Sequence, residues 1–566
     1  MAIALLSKQQ VVKSTVNHAL NKILCHLRVG PLFHWRFSRF RPQRLLAEPV
    51  DLHLADPAMA REFYHNRFAL GGRVVDTGSL SPFAIEPPSL EWEAALHDFS
   101  WLRHMDAAKT PLANAHARIL MNDWYAQSGR RIKSRAWQTD IAARRLVSML
   151  CHAASVLDGA SASFEKKFLR TLGFHFRFLR STILTMEENE HRLHASIALT
   201  LASLCLPMSP AMRQSAQQQL VRSLAKQILP DGGHISRNPA VLLSLLSDLL
   251  ALRHLYAHSK ERAPRLLIDS IERMLPALRF FVHQDHTLAH FNGVGPILPE
   301  RLDVVLQLDE TAGHPFSNAP YSGFQRLHAN QTTLIADTGK IPPKAVSFRA
   351  AAGCLSFEMS SGTHRFIINS GIDPYGREDY QRMGRTSAAH STATLNDRSS
   401  AKFSQKKGSH KTALLYGPYH VKVEKVSTPH RLGFVASHDG YARSSNLIHE
   451  RGLALSSDGT IIDGFDRFFP ATQNSVKRDG RDHVAVRFHL HPDVEVSHDG
   501  HCLRLEVLGG DAWSFISPDA DIQLEDSIEF AALDGPKRTR QIVLNFRPTM
   551  TEKIRWRFTR ISAAGE

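Results

Sequence analysis

With 566 residues the chain exceeds a single typical core of roughly 100–200 residues, so at least two domains are expected. Hydrophobic residues at 43% and charged residues at 22% form an ordinary soluble balance, and no uninterrupted apolar run approaches the roughly 20 residues that span a bilayer, which argues against a transmembrane segment. A formal net charge of +15, with 32 histidines uncounted, favours polyanionic partners, but charge alone does not choose among phosphates, sulfates and uronates.

The first residues, Met1 to Leu6, lack a basic region before the apolar stretch and a small-residue cleavage site after it, so no signal peptide is read and a cytoplasmic location is expected. Trp35 to Arg41 mixes base and aromatic, as an arm against a membrane surface or nucleic acid does, and equally as a solvated segment docked by its aromatics. Cys25, Cys151, Cys205, Cys354 and Cys502 are scattered with no CxxC pair, the pattern of reduced, mostly buried thiols rather than a disulfide framework or zinc ribbon.

From about residue 92 to 282, apolar residues recur at three- and four-residue steps, predicting amphipathic helices joined by short turns. One runs from Leu193 to Leu206 and is stopped by Pro207. Another starts at Asn238-Pro239, where Asn caps free amides and Pro suits the first turn, and continues through Leu242, Leu245, Leu246, Leu249 and Leu252. Such helices pack as hairpins, giving a bundle, solenoid or closed toroid.

After residue 320 the period becomes two. Val484, Val486, Phe488 and Leu490 alternate with Ala485, Arg487 and His489, as a strand with one buried face requires. Asp-Gly pairs at 439, 458, 463, 479, 499 and 534 predict hairpin turns and so a large antiparallel sandwich. The boundary falls near Asn318-Ala319-Pro320. The expected domains are 1–90 (an arm and first helices), 91–320 (helical) and 321–566 (β-rich).

Three constellations offer chemistry. Asn189-Glu190-His191-Arg192-Leu193-His194 sets His191 and His194 on one helical face, suited to an acidic sugar, to a metal with a third ligand from elsewhere, or to a plain helix start. Asp231-Gly232-Gly233-His234-Ile235-Ser236-Arg237 presents His234 and Arg237 before a helix N-terminus, which favours an anion or is a simple turn and cap. In the β half, Arg382 to Thr392, with Arg385 and His390, and then His438-Asp439-Gly440-Tyr441, supply a His and a Tyr on loops, the usual tools of proton transfer and, taken singly, more often structural polar groups. No Walker loop, GxSxG elbow, HExxH or dinucleotide fingerprint is present, and no zinc-finger spacing or RNP-type stretch points to a specific nucleic acid.

In this order, and together with Leu96-His97-Asp98-Phe99-Ser100-Trp101-Leu102, Leu288-Ala289-His290-Phe291-Asn292-Gly293, Ser322 to Leu327 and His449-Glu450-Arg451, these segments resemble the heparinase II/III family over roughly Leu90 to Phe546. The resemblance implies an α+β multidomain fold, an N-terminal α/α toroid of helical hairpins followed by a C-terminal antiparallel β-sandwich. It implies a polysaccharide lyase that cleaves a uronate-containing glycan by β-elimination at the junction of the halves. His191, His390 and Tyr441 would then be catalytic, and Asn189, His194, His234, Arg237 and Arg385 would bind substrate. It also implies a structural divalent metal in the sandwich, for which His449 is one candidate ligand and the rest of the set is open, and a periplasmic or envelope location as the alternative to the cytoplasm. The sequence departs from the family's toroid motif: Glu190 stands where a carboxylate-binding Asn is expected, His194 replaces a Glu, and Val241 stands where the toroid tyrosine is usual. An ionised Glu190 would repel a developing aci-anion. The rival expectation is therefore a degenerate, non-catalytic relative that binds an acidic envelope polysaccharide.

Overall fold

The computed structural model describes residues 37, 40–129, 131–308, 315–404, 413–472, 481–500 and 502–561. The chain separates into two compact units, one of residues 1–227 and 247–269, the other of residues 228–246 and 270–566. The division passes through the helices Pro239–Ala257 and Arg265–Phe280, so the second unit contains the Asp231-Gly232-Gly233 turn as well as the strands.

The first unit is helical. The helix Thr139–Cys151 packs against both Ala162–Thr182 and Glu190–Cys205, and the latter against Pro210–Gln227. Capping explains several starts. Ser89, Thr110, Ser161 and Asn189 each accept a hydrogen bond from a backbone amide of the first turn. The helix expected from Leu193 begins three residues earlier, at Glu190, because Asn189 is its cap, and ends at Cys205 just before Pro207. Of the basic aromatic arm, Trp35, Arg36, Ser38 and Arg39 lie outside the described residues, while the Phe37 ring is buried edge-on against Phe174 and Phe178. Arg145 is buried beneath Trp124 and Trp137 and donates to the His97 and Ala136 carbonyls.

The helix Pro239–Ala257 starts where expected, with Asn238 Oδ1 accepting from the Ala240 amide at 2.8 Å. By length and composition alone it is long and apolar enough to cross a membrane, the one such helix among the described residues, although Asp248 and Arg253 interrupt its apolar run. Leu242, Leu245, Leu246 and Leu249 are nevertheless fully buried within the fold, which accounts for its apolar surface as core.

Among the described residues the second unit carries two large antiparallel sheets and a small two-stranded one of Lys402–Phe403 and Leu414–Tyr416. One, of nine strands among the described residues, runs Ile522–Glu529, Lys537–Phe546, Val484–Leu490, His364–Ile368, Phe357–Ser361, Thr332–Asp337, Phe324–Ala329 and Asn318–Ala319, with Ala393–Leu395 paired beside Val484–Leu490. The other, of eight, runs Val421–Lys425, Arg431–His438, Leu447–Ser456, Ile461–Pro470, Lys553–Ile561, Ala512–Ile516, Cys502–Glu506 and Glu495–Asp499. Their inner faces form one core: Trp556 stacks on Phe357 at 5.7 Å and meets Phe488 edge-on at 4.9 Å.

Two strand expectations change. Val484–Leu490 is buried on both faces, with Arg487 alone half-exposed, because it is an inner strand of the larger sheet rather than a half-solvated one. Asp463-Gly464 is not a turn but lies inside the strand Ile461–Pro470, where a Cβ on Gly464 would come within 2.2 Å of the Trp556 ring. Asp458 and Asp534 do stand between successive strands, Asp499 is the last residue of the strand Glu495–Asp499, and Asp479 lies outside the described residues. Cys151, Cys205 and Cys354 are buried free thiols, and Cys502 is half-buried.

Candidate functional site

In the helical unit, Asn189 is occupied as a cap, its Oδ1 accepting from the Arg192 amide at 3.1 Å. His194 Nδ1 lies 2.6 Å from Asp248 Oδ2, in a pair that is mostly buried. Burial opposes ionisation of Asp248, and the hydrogen bond and charge of His194 overcome it, holding the carboxyl below its usual range. His194 therefore balances a buried carboxylate of its own unit. His191 differs from both. Its side chain is 36% exposed, and its Nε2 stands 3.9 Å from Glu190 Oε1. Desolvation lowers its pKa, opposed in part by Glu190 and Asp140.

The remaining candidates lie in the strand-rich unit. His234 is buried, with Nδ1 2.8 Å from Ser236 Oγ and accepting from the Ser236 amide at 3.1 Å. Arg237 takes a positive φ of 60°, and its side chain is buried. There it donates to the carbonyls of Ser322 at 2.7 Å, Gly323 at 3.0 Å and Lys340 at 3.1 Å, pairs with Asp337, and covers the Phe324 ring. A Cβ on Gly339 would fall 2.3 Å from that guanidinium, so glycine makes the room. Asp231 completes the clamp, accepting from the Tyr321 and Ser322 amides at 2.9 and 2.7 Å. The turn read as an anion cradle is thus a fastening between residues 231–237 and 321–340.

Arg385 donates to the Ala350 and Ser347 carbonyls at 2.8 and 3.0 Å and lies over Phe403, and burial lowers its pKa to about 10. His390 is 2% exposed, its Nδ1 2.7 Å from the Thr386 carbonyl, and burial lowers its pKa. Tyr441 is 1% exposed, and its hydroxyl donates to the Ala393 carbonyl at 2.9 Å, with the Arg398 carbonyl at 3.3 Å. Burial pushes the phenol well above its ordinary value, so it keeps its proton. The segment 385–398 thus joins Arg385, His390 and Tyr441 in one neighbourhood, with their polar atoms turned to backbone carbonyls.

The residues around His449 do not fit a divalent metal. His449 Nε2 is 2.8 Å from Asp466 Oδ1, while Arg451 donates to both Asp466 oxygens at 2.9 and 3.1 Å and Trp556 Nε1 adds a third bond at 2.9 Å. The guanidinium already supplies the cation that Asp466 requires. Among the described residues no group of three or more His, Cys, Asp or Glu is placed to hold a metal ion.

Two polar clusters escaped the sequence reading. In the helical unit His152 bridges Asp51 and Asp106, each at 3.1 Å, with Arg103 and His53 also on Asp51. In the strand-rich unit Glu358 Oε2 meets Arg365 at 2.5 Å and His283 at 3.2 Å, while Oε1 accepts the His290 and Asn369 amides at 3.0 Å each. The only sequence signal was His290 in Leu288 to Gly293, since Glu358 sits alone in a strand.

Residues 311–557 match the family model of the heparinase II/III-like C-terminal domain. Over 534 residues the chain is 28% identical to FtsZ-localized protein C of Caulobacter vibrioides (strain NA1000 / CB15N), covering 92% of this chain and 91% of that protein. Its fold is similar to a heparan sulfate lyase HepC mutant from Pedobacter heparinus (15% identity, TM-score 0.63, covering 99% of this chain and 91% of that one). It is also similar to heparinase III (13% identity, TM-score 0.66, covering 88% and 80%). The fold class expected from the resemblance, helical toroid followed by β-sandwich, is the fold of this chain.

Proposed function

We propose that the protein is a heparinase-like binding protein that recognises an acidic polysaccharide and does not cleave it by β-elimination. Elimination needs a base for the C5 proton, an acid for the leaving oxygen and donors poised for the aci-anion. One observation carries the reading: the Tyr441 hydroxyl, the best proton-transfer group of the β side, is buried and already bonded to the Ala393 carbonyl. His390 is 2% exposed with its Nδ1 bonded to the Thr386 carbonyl, and Glu190 puts a carboxylate beside His191, where the resemblance expects a neutral donor. The net charge of +15 and the family match of residues 311–557 support an acidic glycan as the ligand. His191, whose side chain is half-exposed, is the residue we assign to ligand contact. The test pairs equilibrium binding to heparan sulfate, chondroitin sulfate and alginate with ultraviolet detection of an unsaturated uronate product. Binding without product supports the reading; product places the chain among the elimination lyases instead.

A second reading is favoured by the relative that spans nearly the whole chain and is named for localisation with FtsZ. On that reading the chain is a component of an FtsZ-containing assembly. Co-sedimentation with FtsZ polymers and the position of a fluorescent fusion test it, and a fusion spread evenly through the cell counts against it.

A further inference from the structure

A cavity of about 260 Å³ opens in the strand-rich unit, bounded by residues 285–299, by His491 to Asp493 and by the turn after Ile522–Glu529. Its lining includes Arg365, whose side chain is 4% exposed. Arg365 Nη2 is engaged by Glu358 and Nη1 lies 3.3 Å from His290 Nε2, but its Nε has no hydrogen-bond partner. Beside it stands Glu529, whose side chain is 5% exposed. His290 Nδ1 is 3.9 Å from the Glu529 carboxylate, beyond hydrogen-bond reach, and among the described residues nothing else bonds it. The buried Arg365 Nε left open is costly unless a bound group completes it, and a hydroxyl can do so while donating to the neighbouring Glu529 carboxylate.

The charge of the lining narrows the ligand. Asp285, Asp493, Asp534 and Glu529 outnumber Arg365 and Lys537, and the Arg365 charge is already met by Glu358. In a chain of net charge +15 this is a local acidic recess, which repels uronates and sulfates and attracts a cation. Burial pushes the Glu529 carboxyl up, with Arg365 opposing, and a cation brought near would favour its ionised form. Val294, Ile297 and Leu533 give the recess an apolar wall, matching the C–H face of a sugar ring. The volume lies just under the roughly 300–1,000 Å³ of drug-sized pockets, which suits one ring.

We propose that this cavity binds a hexosamine unit with a free ammonium group. A ring hydroxyl bridges Arg365 Nε and Glu529, and the ammonium faces the carboxylates of Asp493 and Asp534. The assignment rests on this cavity alone and stands or falls separately from the acidic-glycan reading.

The experiment is calorimetric titration of the full chain at pH 6 with D-glucosamine, D-glucose and D-glucuronate in turn. Glucosamine binds most tightly and glucuronate least. Glu529→Gln removes the charged acceptor of a ring hydroxyl that both sugars carry, so it weakens glucosamine and glucose alike, roughly tenfold, the scale of one lost hydrogen bond to a charged group. Asp493 is 69% exposed, so Asp493→Asn leaves the fold intact and weakens glucosamine selectively even if the Glu529 variant fails to fold. Equal affinity for all three sugars, preference for glucuronate, absence of binding to any of them, or indifference of glucosamine to both substitutions would each overturn the assignment.

Discussion

The Tyr441 hydroxyl donates to the Ala393 carbonyl at 2.9 Å, fixing the start of the strand Ala393–Leu395 to the end of the His438–Tyr441 turn. A phenol in that position is a structural tie. Tyr441→Phe removes the bond and keeps the ring, which packs near Phe468. The expected cost is about 1 kcal/mol in denaturant unfolding, with unchanged affinity for acidic glycans. Loss of glycan affinity at unchanged stability would show the hydroxyl to be a ligand contact instead.

The His152 bridge makes the stability of the helical unit depend on pH in two directions. Burial opposes the charged form of His152, but the hydrogen bonds to Asp106 and Asp51 raise its pKa above the usual value of about 6.5. Its contribution is therefore complete below about 6.5 and fades as pH rises through the elevated folded value. Asp106 is lowered chiefly by its bond to His152, and Asp51 is lowered despite burial by His152 and His53. Their contribution is complete above about 3.9 and is lost as pH falls through the depressed values. The parent should lose about 1–3 kcal/mol between pH 6 and pH 9, and His152→Ala should lose much less over that interval. Equal alkaline slopes would contradict the bridge.

Gly232 has a φ of +84°, and a Cβ there would stand 1.9 Å from the Arg273 carbonyl oxygen, which is backbone and cannot step aside. Gly232→Ala should cost about 2–5 kcal/mol from the left-handed backbone and the overlap together. Thermal unfolding measures it. A loss below about 1 kcal/mol would show the 231–237 fastening to be loose.

His191 should behave in the opposite way to His194. His191→Ala is expected to leave stability nearly unchanged and to weaken acidic-glycan binding about 2- to 12-fold, the worth of one hydrogen bond. His194→Ala strands the buried Asp248 carboxylate and should show its effect in unfolding. Binding that ignores His191→Ala would remove that residue from the site.

Periodicity and punctuation carried the fold. Asn238-Pro239 marked a helix start to the residue, and the change of period after 320 marked the sheets, because both are local backbone effects. Local rules missed what distant residues impose. Asp463-Gly464 looks like a turn until Trp556, some ninety residues later, requires a glycine beneath its ring. The candidate site suffered the same way. Arg237, Arg385 and His390 are the residue types that bind and shuttle, yet their partners are backbone carbonyls such as Ser322, Ala350 and Thr386, whose proximity no spacing reveals. The Glu358 cluster was invisible for the converse reason, since a single acid in an apolar strand gives no sign of the arginine and histidines that meet it.

The most direct test of binding without elimination is a single reaction set: the full chain with heparan sulfate, chondroitin sulfate and alginate, each monitored for unsaturated uronate and, in parallel, for complex formation. We predict a salt-sensitive complex with at least one of them and no unsaturated product. Steady product formation that is abolished by His390→Ala would contradict the account.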